Sequence, residues 1–172
     1  MVDRGIPITR TSAGLVEGYR ALSAAASTRT DTPIERIPAS VGVIPRTIID
    51  DQNSASIADA TRNVSGVEAT NPIQTPAYDG TRIRGFAGEQ WLDGIPTYYN
   101  AGDRDSIVNV ERIEVLKGPN AILYGGGSGA PLGGAINVVS KLPEDRVFST
   151  FGAVFGSYAL HRSFFDINRP LS

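Results

Sequence analysis

The chain contains no cysteine, and only one histidine, one methionine and one tryptophan in 172 residues. Lack of cysteine excludes a disulfide scaffold, thiolate metal sites and a cysteine nucleophile. Charge of one sign is also missing: 16 basic against 18 acidic residues leave a net charge of −2. The basic residues are scattered, so nothing draws the chain to a nucleic acid. No apolar run approaches the roughly 18 residues of a membrane helix. Met1 to Thr30 carry neither a basic n-region nor an apolar core, so no secretory signal is read there. Apolar content of 41% with 20% charged residues fits a folded chain of about one domain.

Glycine, by contrast, is concentrated. Seven of the 19 glycines fall between Gly118 and Gly134. Holding a glycine in one conformation costs roughly 0.5–1 kcal/mol more than holding alanine. The run is flanked by a strand pattern, Val110-Glu111-Arg112-Ile113-Glu114-Val115-Leu116-Lys117, and by a second, Ala135-Ile136-Asn137-Val138-Val139-Ser140. Pro119 suits the first position of a short helix through Tyr124. A glycine-lined turn between ordered elements predicts close backbone approach, with several residues at positive φ.

Enzymatic readings of this run fail on spacing. Gly125, Gly127 and Ala130 match the loose dinucleotide fingerprint, with Asp145 beyond, but Pro131 and Gly133-Gly134 lead into a strand where a helix must open. Lys117 precedes Gly118 and no Gly-Lys-Ser/Thr exists, which excludes a P-loop. Ser128 lacks the nucleophile-elbow spacing because position 130 is alanine. Asp103 and Asp105 lack the acidic flanks of a calcium loop. Asn63-Val64-Ser65 is a glycosylation sequon by pattern only. No metal site, catalytic group or resident cofactor is read from the residues.

Elsewhere the pattern is of short elements. Residues 1–30, rich in Thr, Ser, Ala and Gly without a period, predict a mostly mobile extension. Val41–Ile44 reads as a strand ended by Pro45. Ser56 and Asp59 resemble a capping box ahead of Ile57, Ala60, Thr61 and Val64 at helical spacing, with Gly66 as the stop. Prolines and Asp79-Gly80 place residues 71–80 in a loop. Short strands are predicted around Thr81–Phe86 and Trp91–Ile95, followed by a Tyr98-Tyr99-Asn100-Ala101-Gly102 loop. These elements predict an α+β unit, a small mixed β-sheet with short helices and glycine-rich loops. Beyond Pro143, residues 147–157 and 159–168 each have the ~9–11 residues of a tilted membrane strand. Phe151, Ala153 and Phe155 share one parity, while Phe148 and Phe164 fall on the polar parity. By residues alone these are either a soluble hairpin or two barrel strands.

Val110 to Pro143 resembles the second half of the plug domain of TonB-dependent outer-membrane receptors, with the siderophore branch the most similar. Arg82-Ile83-Arg84-Gly85-Phe86, Leu92-Asp93-Gly94-Ile95-Pro96, and Thr30-Asp31-Thr32-Pro33 through Ile37-Pro38-Ala39-Ser40-Val41 are similar to the same family in the right order, covering about residues 28 to 145. The resemblance implies three segments. Residues 1–30 are an extension holding a TonB box, with Leu15, Val16 and Tyr19 as the TonB contact. Residues 31–145 are the plug, and 146–172 are the first one or two strands of a truncated transmembrane β-barrel. It implies a chain that is not an enzyme: a receptor fragment unable to transport alone, its start truncated, wrongly assigned or lacking an omitted signal.

The same resemblance implies further assignments. Tyr98 and Tyr99, with Glu89, Gln90 and Trp91 at a second apex and Tyr78-Asp79-Gly80-Thr81 as a third, face an external ligand. Ordinary packing of two half-buried rings is the other account of the tyrosines. Arg84 and Lys117, joined by Glu111, Arg112 and Glu114, form a charged seam against the barrel wall. Gly85, Gly94, Gly118, Gly125, Gly133 and Gly134 are structural glycines. The implied partners are a ferric siderophore, TonB with ExbB and ExbD, and the chain's own barrel. The implied place is the outer membrane of a Gram-negative bacterium, with the plug facing the periplasm inside the barrel lumen. Iron enters only within a siderophore. Cobalamin, haem or a saccharide as cargo, and a small nucleotide-binding enzyme, are the alternatives.

Overall fold

The computed structural model describes residues 8–11, 14–24, 30, 32–68, 81–97, 107–119 and 132–170. The chain divides into two compact units, Met1–Ser140 and Lys141–Ser172.

The first unit opens on strands within the predicted mobile extension. β1 (Ile8–Thr11), β2 (Gly14–Glu17) and β3 (Arg20–Ala21) form an antiparallel sheet in that order. β4 (Ser23–Ala24) pairs with β5 (Thr32–Pro33). Val16, Ala21 and Ala24 are buried, which a mobile tail would not achieve. Strands of two to four residues built on small side chains are too short to show a period.

β6 (Ser40–Pro45) stops at the predicted proline, but Pro45 also opens a helix, α1 (Arg46–Asp51), that the sequence pattern does not show. Its six residues span under two turns, leaving only Ile49 fully buried. α1 is held instead by Arg46. Its Nη1 donates to the carbonyls of Ile107 (2.7 Å) and Val110 (2.9 Å), and its Nη2 pairs with Asp50 at 2.7 Å.

α2 (Ile57–Thr61) begins as expected, with Ser56 Oγ accepting from Asp59 N at 3.1 Å. Asp59 Oδ2 in turn accepts from Ala55 N at 3.2 Å, one residue before the N-cap, so aspartate reaches past the N-cap amide that the usual box engages. The helix ends at Thr61, short of Val64, and Gly66 takes φ +75° in the stop. Ser56→Ala is expected to lower stability by about 1 kcal/mol. A denaturation midpoint unchanged by Ser56→Ala would refute this.

β7 (Val67–Glu68), β8 (Arg82–Ile83) and β9 (Phe86–Ala87) form a small sheet in that order. β10 (Glu89–Leu92) and β11 (Ile95–Pro96) follow. The strands predicted around Thr81–Phe86 and Trp91–Ile95 are therefore two hairpins. Each reverses at its motif glycine, with positive φ at Arg84 and Gly85 (54°, 82°) and at Asp93 and Gly94 (52°, 80°). Both central residues in the left-handed region match the turn that suits strand twist.

β12 (Val110–Lys117) and β13 (Gly134–Ser140) complete a mixed five-stranded sheet of order β11-β10-β13-β12-β6. All its pairs are antiparallel except β10–β13. Ile113 and Val115, on one face of β12, are fully buried with Ile136, Val138, Ile44, Ile49, Ile57, Ala60, Ile83 and Ile107. Burying each large aliphatic side chain stabilises by about 1.5–3 kcal/mol, so this helix-covered face is the main core.

The second unit is one antiparallel hairpin, β14 (Phe148–Gly156) with β15 (Leu160–Asn168), over the two spans read as strands. Phe151 faces Phe165 and Phe155 faces His161, whose rings meet edge-on at 5.5 Å. Phe151, Phe155, Phe165 and Ile167 are exposed on that face. Phe164, on the other face, lies over Gly152, where a Cβ would stand 2.3 Å from its ring. Glycine at 152 thus accommodates an aromatic on the polar parity. Glu144 pairs with Arg146 at 2.5 Å and holds that guanidinium above its usual pKa.

Candidate functional site

The family motifs meet where β12 and β13 end beneath the β8–β9 hairpin. Gly118, at φ +115°, donates its N–H to Gly133 O at 2.8 Å, extending the pairing of the two strands by one step. Gly133 lies under the hairpin. A Cβ there would stand 2.8–3.0 Å from the carbonyl oxygens of Phe86, Ile83 and Ala87. Gly134 is tighter, with φ +122° and a hypothetical Cβ 1.9 Å from Leu116 O. Close backbone approach therefore accounts for Gly133 and Gly134, and positive φ for Gly118. Gly125 and the rest of 120–131 lie outside the described residues.

This packing also brings Arg84 to the end of β12. Arg84 is tied down by its own N–H, which donates to Gly66 O at 2.7 Å. Its guanidinium reaches to 4.0 Å from the Cβ position of Gly118, whose neighbour is Lys117. Arg84 is exposed and Lys117 half-buried, and neither joins an ion pair among the described residues. Gly85, at the turn, has nothing within 4 Å of its Cβ position; its positive φ is what requires glycine.

The other three residues expected at the seam lie inside. Glu111, Arg112 and Glu114 are 8%, 5% and 0% exposed, and Arg112 pairs with Glu114 at 2.7 Å. This corrects the outward-facing assignment: strand alternation puts Arg112 and Glu114 on the second buried face of β12. Glu111 sits at a bulge where the β12–β13 register shifts.

The expected ligand apices divide in the same way. Glu89, Gln90 and Trp91 do not form a loop but lie in β10, between β11 and β13. Trp91 is fully buried, and its Nε1 donates to Glu89 Oε2 at 2.9 Å, so its placement as a ligand contact is corrected to a core role. Glu89 and Gln90 are half-buried. Tyr98, Tyr99 and residues 78–80 lie outside the described residues. Gln90 O holds the last described residue before the tyrosines, accepting from Thr97 N (2.9 Å) and Thr97 Oγ1 (2.8 Å).

Of the expected TonB contact, Leu15 and Val16 lie in β2. That strand pairs with β1 on one side and β3 on the other, and Val16 is buried, so strand addition would require this sheet to open first. Tyr19 is exposed, yet its hydroxyl donates to Asp51 Oδ2 at 2.6 Å. That bond, with the nearby carboxylate charge, raises its pKa. Leu15 is exposed. No metal-binding cluster occurs among the described residues, and no described helix is long and apolar enough to cross a membrane.

The family described as TonB-dependent Receptor Plug Domain matches residues 33–132. This chain is a member of that family. The metal-pseudopaline receptor CntO of Pseudomonas aeruginosa (strain UCBPP-PA14) is 41% identical over 162 residues, covering 92% of this chain and 22% of that protein. The ferrichrome outer membrane transporter/phage receptor of Escherichia coli K12 is 31% identical, covering 88% and 21%. The pyoverdine outer membrane receptor FpvA from P. aeruginosa PAO1 superposes with a TM-score of 0.76 at 29% identity, covering 90% of this chain and 23% of that structure. The chain thus spans about a fifth of the length of these relatives. They are receptors and transporters, not enzymes, and the mixed sheet with short helices is the plug fold.

Proposed function

We propose that this chain is the plug of an outer-membrane, TonB-dependent receptor that imports a ferric siderophore. The supporting observation is the plug-family match, together with relatives whose names specify ferrichrome and ferrioxamine. Ligand binding on the outer side would shift the loops that follow the hairpins. TonB, energised by ExbB and ExbD, would then pull from the periplasm to open a path past the plug. No bond is made or broken in this cycle. Tyr98 and Tyr99 remain the proposed aromatic contacts, with Glu89 and Gln90 in the strand that leads to them. A second reading has the metal carried by another metallophore, favoured by the 41% identity to a metal-pseudopaline receptor. Uptake of radiolabelled iron presented as ferrichrome or ferrioxamine, against metal presented as metal-pseudopaline, in cells carrying the full-length protein separates the two. Uptake of neither would refute both.

In this reading Arg84 and Lys117 face carboxylates of the barrel wall. A desolvated pair there is worth more than the 0–1 kcal/mol of a surface bridge, and breaking it costs roughly 3–5 kcal/mol where burial is deep. Arg84→Ala with Lys117→Ala in the full-length receptor is expected to raise leakage of a small antibiotic while ligand affinity holds. Lost affinity with unchanged leakage would move these residues to the ligand site.

A further inference from the structure

One row of directly opposed residues crosses all five strands of the main sheet, on the face away from the aliphatic core. It runs Pro96 (β11), Trp91 (β10), Asn137 (β13), Glu114 (β12), Val43 (β6). Its middle is polar and dry: Asn137 is 3% exposed and Glu114 is 0% exposed. Asn137 Nδ2 donates to Glu114 Oε2 at 3.3 Å, and Glu114 Oε1 takes Arg112 at 2.7 Å. On its other side, Asn137 Oδ1 accepts the N–H of Gly94 at 2.8 Å. The same turn is pinned twice more, by Asp93 N to Val138 O (2.9 Å) and Ser140 N to Asp93 Oδ1 (2.7 Å).

A buried polar pair gains little over well-packed apolar groups, and its best-attested use is to select one register. Here a register needs selecting. β10–β13 is the sheet's only parallel pair, so no tight hairpin aligns it. A slip of one residue would turn every side chain of β10 to the opposite face, carrying Trp91 out of its burial.

We propose that Asn137 is a positioning residue. Bonded to Gly94 on one side and Glu114 on the other, it sets the β10–β13 register and makes the β10–β11 hairpin and β12 move as one body. A displacement of the hairpin is thereby handed across the sheet to β12. From there it reaches α1 through Arg46, which grips the carbonyls of Ile107 and Val110 at the start of β12. The inference stands whatever cargo the receptor carries.

The test exploits charge. Among the described residues, the charged groups on this face are Arg112 and Glu114 from β12 and Glu89 from β10; β6 and β13 contribute none. Asp93 at the turn is occupied by Ser140 N. In Asn137→Asp the shape is kept but a second carboxylate faces Glu114. The donor to Glu114 is lost with it, and Asn137→Leu loses the acceptor of Gly94 N–H as well.

Amide exchange of the full chain should show Gly94 losing about tenfold in protection in both Asn137→Asp and Asn137→Leu, with Ile113 and Val115 unchanged. The exchange variant Glu114→Gln/Asn137→Asp, which swaps donor and acceptor, should keep it. Unchanged protection of Gly94 in Asn137→Asp overturns the proposal. Should Asn137→Asp fail to fold, unchanged protection in Asn137→Leu does so instead.

Discussion

Gly134→Ala is expected to destabilise the first unit by about 3–5 kcal/mol, combining overpacking with a side chain forced to positive φ. The added Cβ would lie 1.9 Å from Leu116 O, a backbone atom within the β12–β13 ladder that cannot rotate aside. Relief requires β13 to move from β12, and β10 pairs with β13, so the strain spreads across the sheet. Gly85→Ala is the control: it also sits at positive φ but has open space around its Cβ position. It should lose only about 1 kcal/mol. Urea denaturation followed by the fluorescence of Trp91, the chain's single tryptophan and fully buried, reads both. Equal midpoints for the two variants would show that the close approach at Gly134 is not what makes glycine necessary.

Glu114→Ala should cost about 3–5 kcal/mol, because the buried guanidinium of Arg112 loses the carboxylate it pairs with. Replacing both, Arg112→Met with Glu114→Leu, should recover most of that loss, since two apolar groups avoid the desolvation of two charges. Asn137 would still lose its acceptor in the double variant, so recovery should stop short of wild type by about 1 kcal/mol. The same fluorescence midpoint measures all three. A double variant as unstable as Glu114→Ala would mean that packing, not the uncompensated charge, sets the cost.

Much of the plug was legible before folding. The alternation of Val110–Lys117 located β12, and Ser56 with Asp59 announced α2 through a local hydrogen bond. Gly133 and Gly134 marked close approach because no other residue tolerates it. Each of these signals acts over a few residues, so it survives in the order of the chain. Sequence motifs in the right order carried the family as well.

What failed was whatever depends on partners far along the chain. Arg112 and Glu114 look like surface charges in a strand pattern; only β13 and β6, paired on either side of β12, bury them. Trp91 reads as an apex aromatic until the parallel β10–β13 pair places it in the sheet. The strands within residues 8–24 are too short to announce themselves and exist through pairing with one another. Sequence alone determined the turns, caps and glycine contacts, because those are set by local sterics and hydrogen bonds. The tertiary structure decided which charges are buried, which edges are closed and that Arg84 lies beside Gly118, because burial belongs to the assembled sheet and not to any single strand.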